Sequence, residues 1–184
     1  MIKISKAVFQ DTGKSALIIE APYHPDFPAG ARRLGGSWSA LRRHWTFDAR
    51  DEIDIRALLI EVYGTDGSAG IPTVDVEVSL DGLLIGDELW MLGRQLVSCR
   101  SGFVRLGDGV RILIGELYSG SRRDPHLTWQ ENTTLLVRDV PTSLLDKLPD
   151  KLRPHVRIHD GLPSSQPRTE IPEAFRKALG EGDL

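Results

Sequence analysis

The chain has 184 residues and a single cysteine, Cys99. One thiol cannot form an internal disulfide and cannot build a cysteine-based zinc site. Its place between Ser98 and Arg100, in a stretch that reads as a strand, suits a buried, inert thiol. A reducing compartment is the economical reading. Charge of one sign is also lacking. The formal net charge is −3, which is neither the basic excess of a general nucleic-acid binder nor the acidic excess of a DNA mimic. Any nucleic-acid contact must therefore be a local patch. No apolar run approaches the length of a membrane-spanning helix, and Met1 to Lys6 alternates in place of forming a signal-peptide core, so the expectation is a cytoplasmic protein with no membrane contact.

Catalytic signatures are missing as well. There is no GxxxxGK[ST] phosphate loop, no GxGxxG after a strand, no HExxH and no GxSxG. The five histidines are scattered. His155 and His159 are four apart on what reads as one strand, which would put both on one face; exposed histidines are commoner there than ligands. Asp87 and Glu88 are neighbours and point to opposite strand faces, a poor arrangement for acid–base work. Asp48, Asp51, Glu52 and Asp54 read as the capped, solvated start of a helix, with a metal role as the rival reading. The expectation is no enzyme, no cofactor and no metal. A hydrolase with metal at scattered carboxylates is the least favoured alternative.

What is present is a regular alternation of strand and helix patterns. Met1–Phe9 and Ala16–Ala21 read as a hairpin around the turn residues 10–15. Asp26 is placed to cap a short helix whose Phe27, Ala31 and Leu34 share a face, with Pro28 in the first turn. Gly35-Gly36 stops that helix. A second hairpin follows, with Trp38 on one arm, Trp45 and Phe47 on the other, and Arg42-Arg43-His44 near the tip. Trp45 and Phe47 share one face and read as core. Ile55, Leu58, Leu59 and Val62 then make the stripe of a second helix, closed by Tyr63-Gly64. The expected fold is α+β, with a ββαββα domain over 1–66 and a linker over 67–72.

Beyond the linker the pattern changes. Val74, Val76, Val78 and Leu80 alternate with Asp75, Glu77 and Ser79, a half-buried strand leading to an Asp81-Gly82 turn. Leu83–Gly86, Glu88–Arg100, Phe103–Leu106, Val110–Leu117 and Thr133–Val140 supply further strands. Ser119–Asn132 reads as a polar loop. Residues 73–148 are thus expected to form a mostly antiparallel β domain, a small barrel or a sandwich, ending in a short helix over 141–148. Residues 149–184 are proline-punctuated and read as a flexible tail. Long strands with free edges also raise the expectation of self-association through the β domain.

Residues 23–66 carry an ordered set of motifs: Phe27 before the short helix, Leu34-Gly35-Gly36-Ser37-Trp38, Trp45-Thr46-Phe47, and Tyr63-Gly64-Thr65-Asp66. This pattern resembles a module of phage and plasmid proteins that is similar to the HARP domain, the accessory domain of eukaryotic annealing helicases. The resemblance covers roughly a third of the chain. It implies DNA binding in support of annealing or fork remodelling, with single-stranded or forked DNA as partner. The helicase motor is absent, so no ATP-driven activity is implied. Residues 71–184 resemble no family.

The candidate nucleic-acid contacts are Arg32, Arg33, Trp38, Arg42, Arg43 and His44, because arginines meet phosphates and an exposed ring can stack on a base. Arg50 is placed to join them. The bland alternative is a solvated basic face. A secondary basic loop carries Arg122, Arg123 and His126, followed by Trp129. The leading expectation is a non-enzymatic nucleic-acid-binding protein of mobile-element type with low sequence specificity. The rival is a protein-interaction module that inhibits a host defence or plasmid function.

Overall fold

A computed structural model describes residues 2–8 and 13–160. The chain is α+β, with few helices and several antiparallel sheets. Strands β1 (Lys3–Val8), β2 (Ser15–Glu20), β3 (Ser37–Ser39) and β4 (His44–Asp48) form one sheet in the order β1-β2-β4-β3. The register pairs Leu17 with Phe47 and Ile19 with Trp45, so these four side chains share one face. Helices α1 (Phe27–Arg33) and α2 (Glu52–Tyr63) cover that face. Leu17, Ile19, Phe27, Ala31, Trp45, Phe47, Ile55, Leu58, Leu59 and Tyr63 are buried together.

Helix α1 has only seven residues, too few to stand alone, so packing holds it. Two glycines allow that packing. Gly35 ends the helix at φ 71°, in the left-handed region, and Gly36 N–H donates to Ala31 O at 2.9 Å. A Cβ on Gly36 would lie 2.4 Å from Phe47 Cε1, so only glycine lets the chain turn into β3 above the Phe47 ring. Asp26 is not the expected side-chain cap. It already has helical angles, its carboxylate makes no cap bond, and Pro28 removes an N–H that such a cap would serve. Its own N–H instead donates to His24 Nδ1 at 3.2 Å.

Strands β5 (Thr73–Ser79), β9 (Val110–Ile114), β12 (Thr134–Pro141) and β13 (Val156–Ile158) form a sheet in the order β13-β5-β12-β9. Strands β6 (Glu88–Met91), β7 (Arg94–Arg100) and β8 (Phe103–Leu106) form a second, and β10 (Leu117–Ser119) pairs with β11 (Leu127–Trp129). Val76, Val78, Leu135, Val137, Leu89, Met91, Val97, Cys99 and Leu127 draw all three into one core. Among the described residues no closed barrel forms. Each sheet keeps free edges, and β12 slips register between Val137 and Val140, where Asp139 has φ 53°.

Several local expectations fail here. Leu83–Gly86 makes no strand; after the Asp81-Gly82 turn the chain leaves the sheet with Leu84 fully exposed. The segment 119–132 is not all loop, since Leu127–Trp129 pairs with Leu117–Ser119. Residues 149–160, expected in the tail, carry a 3-10 turn at Arg153–His155 and then β13, which pairs with β5. That added strand buries Glu77, whose alternation pointed it to solvent, against Arg157 and against His159 at 2.7 Å. His155 stays in the 3-10 turn, so the two histidines do not share a strand face. Helix α3 (Thr142–Asp146) falls inside the expected short helix. The tail expectation for residues 161–184 lies outside the described residues.

The two cores meet through aromatic rings. Trp90 of β6 packs edge-to-face on His24 at 5.2 Å, His24 on Tyr63 at 5.6 Å, and Tyr63 on Phe27 at 5.5 Å. Phe27 then meets Trp45 at 5.9 Å, and Trp45 meets Trp38 at 5.6 Å. Tyr63 Oη donates to Pro22 O at 2.8 Å, and burial pushes the Tyr63 phenol pKa upward. Burial lowers the pKa of His24, with the Asp26 charge opposing it. Among the described residues no helix is long and apolar enough to cross a membrane.

Candidate nucleic-acid interface

The site starts from the β3–β4 hairpin. A four-residue loop, Ala40–Arg43, joins the strands, and Arg43 adopts φ 54° within it. Arg42 N–H donates to Ser39 Oγ at 3.3 Å, which ties the loop back to β3. Arg42 and Arg43 are exposed, and His44 is half-buried at the start of β4.

Trp38 and Trp45 face each other across the hairpin, and their fates differ. Trp45 is 7% exposed and belongs to the core, while Trp38, on the edge strand, is 46% exposed. Arg32 of α1 lies with its guanidinium carbon 5.9 Å from the Trp45 ring centre, a cation–π distance. Arg32 and Trp38 therefore flank one indole. Arg33 is exposed in the last turn of α1, where the helix dipole also favours a cation.

The charges around the hairpin are sorted by ion pairing. Asp48 is held by Arg50 at 2.7 Å, and the Arg50 side-chain hydrogen bond brings its pKa to about 2. Arg50 is thus engaged and does not join the candidate patch. Glu52 pairs with Lys6 at 2.8 Å and with Arg56 at 2.9 Å, and both bonds lower its pKa. Asp66 takes Arg56 at 2.6 Å and accepts from Ser68 at 2.5 Å, and the Ser68 bond leads the fall of its pKa to about 2. Among the described residues, no carboxylate pairs with Arg32, Arg33, Arg42 or Arg43.

The secondary loop is built differently. Arg122, Arg123 and His126 are exposed, but Asp124 lies between them in sequence. Its carboxylate is 3.5 Å from His126 Nδ1, and its carbonyl is 3.0 Å from the same nitrogen. Trp129 is partly buried against the β core instead of standing beside the loop arginines. Among the described residues, no three His, Cys, Asp or Glu side chains gather as a metal site.

A cleft of about 820 Å³ lies where the first sheet's connections meet the outer face of β6-β7-β8. Tyr23, Trp90, Arg94, Arg100 and Arg105 line it. None of these was a candidate from the sequence. The signal was there in part, because Arg100 and Phe103, and Ser98 and Arg105, are same-face partners across one turn. Placing Tyr23 opposite them required the tertiary fold.

Comparison with protein-family models, curated proteins and solved structures finds no match for this chain.

Proposed function

We propose that the chain is a non-enzymatic nucleic-acid-binding protein that holds DNA phosphates through Arg32, Arg33, Arg42 and Arg43 with little sequence preference. Trp38 stacks on an unpaired base, and His44 adds a contact beside the hairpin loop. The observation that carries this reading is a set of exposed arginines with no carboxylate partner among the described residues, set beside a half-exposed tryptophan. The resemblance of residues 23–66 to HARP-like modules favours single-stranded or forked DNA and an origin in a mobile element, and the single cysteine favours a cytoplasmic setting. The change of sequence pattern across the 67–72 linker favours treating residues 1–66 as one ββαββα domain and 73–148 as a second. No recognition helix enters the reading, so specificity for sequence is not expected.

The test is fluorescence anisotropy of labelled single-stranded, duplex and forked DNA with the full chain. Saturable binding that Arg42→Ala/Arg43→Ala weakens supports the reading. Undiminished binding by that variant sinks the site. A second reading, a protein-interaction module directed at a host defence or plasmid function, draws on Leu41, an apolar residue 93% exposed at the hairpin tip. A defined protein partner that Leu41→Ser releases, with no DNA binding, would favour it.

A further inference from the structure

We infer that the cleft between Tyr23 and the outer face of β6-β7-β8 is a second binding station that receives one unpaired nucleotide, with its base against Tyr23 and Trp90 and its phosphate on Arg105. This rests on the proposed nucleic-acid function and deepens it, giving an unpaired strand a second contact beyond the hairpin, whose arginines take the backbone of any DNA.

Size, ring exposure and charge agree. The volume of about 820 Å³ falls within the range of roughly 300–1,000 Å³ usual for small-molecule sites, ample for a nucleotide. Tyr23 meets Trp90 edge-to-face at 5.9 Å and is still 71% exposed, so its ring is fixed on one side and open for stacking. Trp90 is itself anchored, since its Nε1–H donates to Glu88 Oε2 at 2.7 Å. The other Glu88 oxygen takes Arg100 Nη2 at 3.1 Å, and this bond holds Arg100 on the same face as Trp90.

The cations outweigh the acids. Arg105, exposed on β8, has no ion pair among the described residues. Among the described residues, Arg94 donates to main-chain carbonyls only, of Arg138 at 3.1 Å, of Asp139 at 3.0 Å and of Asp108 at 3.4 Å. Its charge at the cleft wall is therefore not neutralised by a bonded carboxylate. Asp108 is the one acid among the lining residues. A ring platform beside arginines is the arrangement that binds a base and its phosphate together.

The experiment compares the full-length wild type with Tyr23→Ala, Arg105→Ala and Arg42→Ala/Arg43→Ala. Labelled oligothymidylate of about 20 nucleotides and a duplex of equal length serve as probes. Tyr23 and Arg105 are both exposed, so neither substitution removes core packing, and matching thermal melts check this. The expected result is a loss of about fivefold or more in single-strand affinity for Tyr23→Ala and Arg105→Ala, with duplex affinity unchanged. The hairpin variant should weaken both probes. Single-strand affinity equal to wild type in both cleft variants, while the hairpin variant weakens, overturns the cleft and leaves the hairpin standing. The reverse pattern keeps the cleft and overturns the hairpin. Competition by thymidine monophosphate, lost in Tyr23→Ala, assigns the cleft to a free nucleotide; no competition assigns it to a nucleotide within a strand.

Discussion

Two basic segments look alike along the chain and differ in space. Arg42-Arg43-His44 sits at a hairpin tip whose base is locked into a core, and Arg122-Arg123 with His126 sits on a turn between two three-residue strands. Neither the hairpin arginines nor Arg122 and Arg123 have a carboxylate partner among the described residues; what differs is that an acid, Asp124, lies within the loop and meets His126. The hairpin has a half-exposed indole at its side; Trp129 is drawn into packing. A basic cluster can serve an anion when its counter-charges are engaged elsewhere and its frame is rigid. Sequence shows the cluster. The ion pairs show which arginines are engaged, as Arg50 is by Asp48 and Arg56 by Glu52 and Asp66.

The comparison breaks most completely at its frame. Gly36→Ala forces a Cβ to 2.4 Å from Phe47 Cε1 and 2.7 Å from the Ala31 carbonyl, so a stability loss of about 3 kcal/mol is expected in chemical denaturation. Next come the ion pairs around helix α2. Asp66→Asn should cost about 1–2 kcal/mol by losing charged bonds to Arg56 and Ser68. The pKa of Asp66 is depressed from 3.8 to about 2, so its contribution is complete above about pH 4 and lost as pH falls through about 2. Thermal melts of wild type and variant should therefore converge over that window. A constant gap would contradict the assignment.

Binding effects follow. Arg42→Ala/Arg43→Ala should reduce DNA affinity by about tenfold at moderate salt. Trp38→Ala should reduce single-strand affinity by about fivefold and leave stability within about 0.5 kcal/mol, because the ring is half exposed on an edge strand. The smallest effect sharpens the contrast. Arg122→Ala/Arg123→Ala should change affinity by less than about twofold, and Asp124→Asn, which removes the loop's own counter-charge, should strengthen binding slightly. A large loss from the loop variant would make the two segments equivalent.

Much of the first sheet could be read from sequence because its signals are local. The 3.6-residue spacing of Ile55, Leu58 and Leu59 marks α2, and the two-residue spacing of Trp45 and Phe47 marks the buried face of β4. The β-rich half depended on pairings between distant residues. Nothing near Glu77 in sequence announces that Arg157 and His159 will cover it, and a buried carboxylate therefore looked solvent-facing. The Asp81-Gly82 signal is a real turn, but Asp81 spends its carboxylate on Asn132 N–H at 3.0 Å and the chain does not fold back. The hairpin arginines were legible as a cluster. Their lack of carboxylate partners among the described residues was not, because Arg50 and Arg56 look the same on paper and are ion-paired in space. The cleft was illegible for the same reason: Tyr23 and Arg105 meet only through the packing of the two cores.

The central claim is that the hairpin arginines bind phosphates, and the salt dependence of binding tests it most directly. Anisotropy titrations of wild type and Arg42→Ala/Arg43→Ala across a salt series give the slope of log K against log salt for each. The expected result is a slope shallower by about 2 in the variant, one for each phosphate contact removed. Equal slopes would contradict the claim and move the binding surface away from the hairpin.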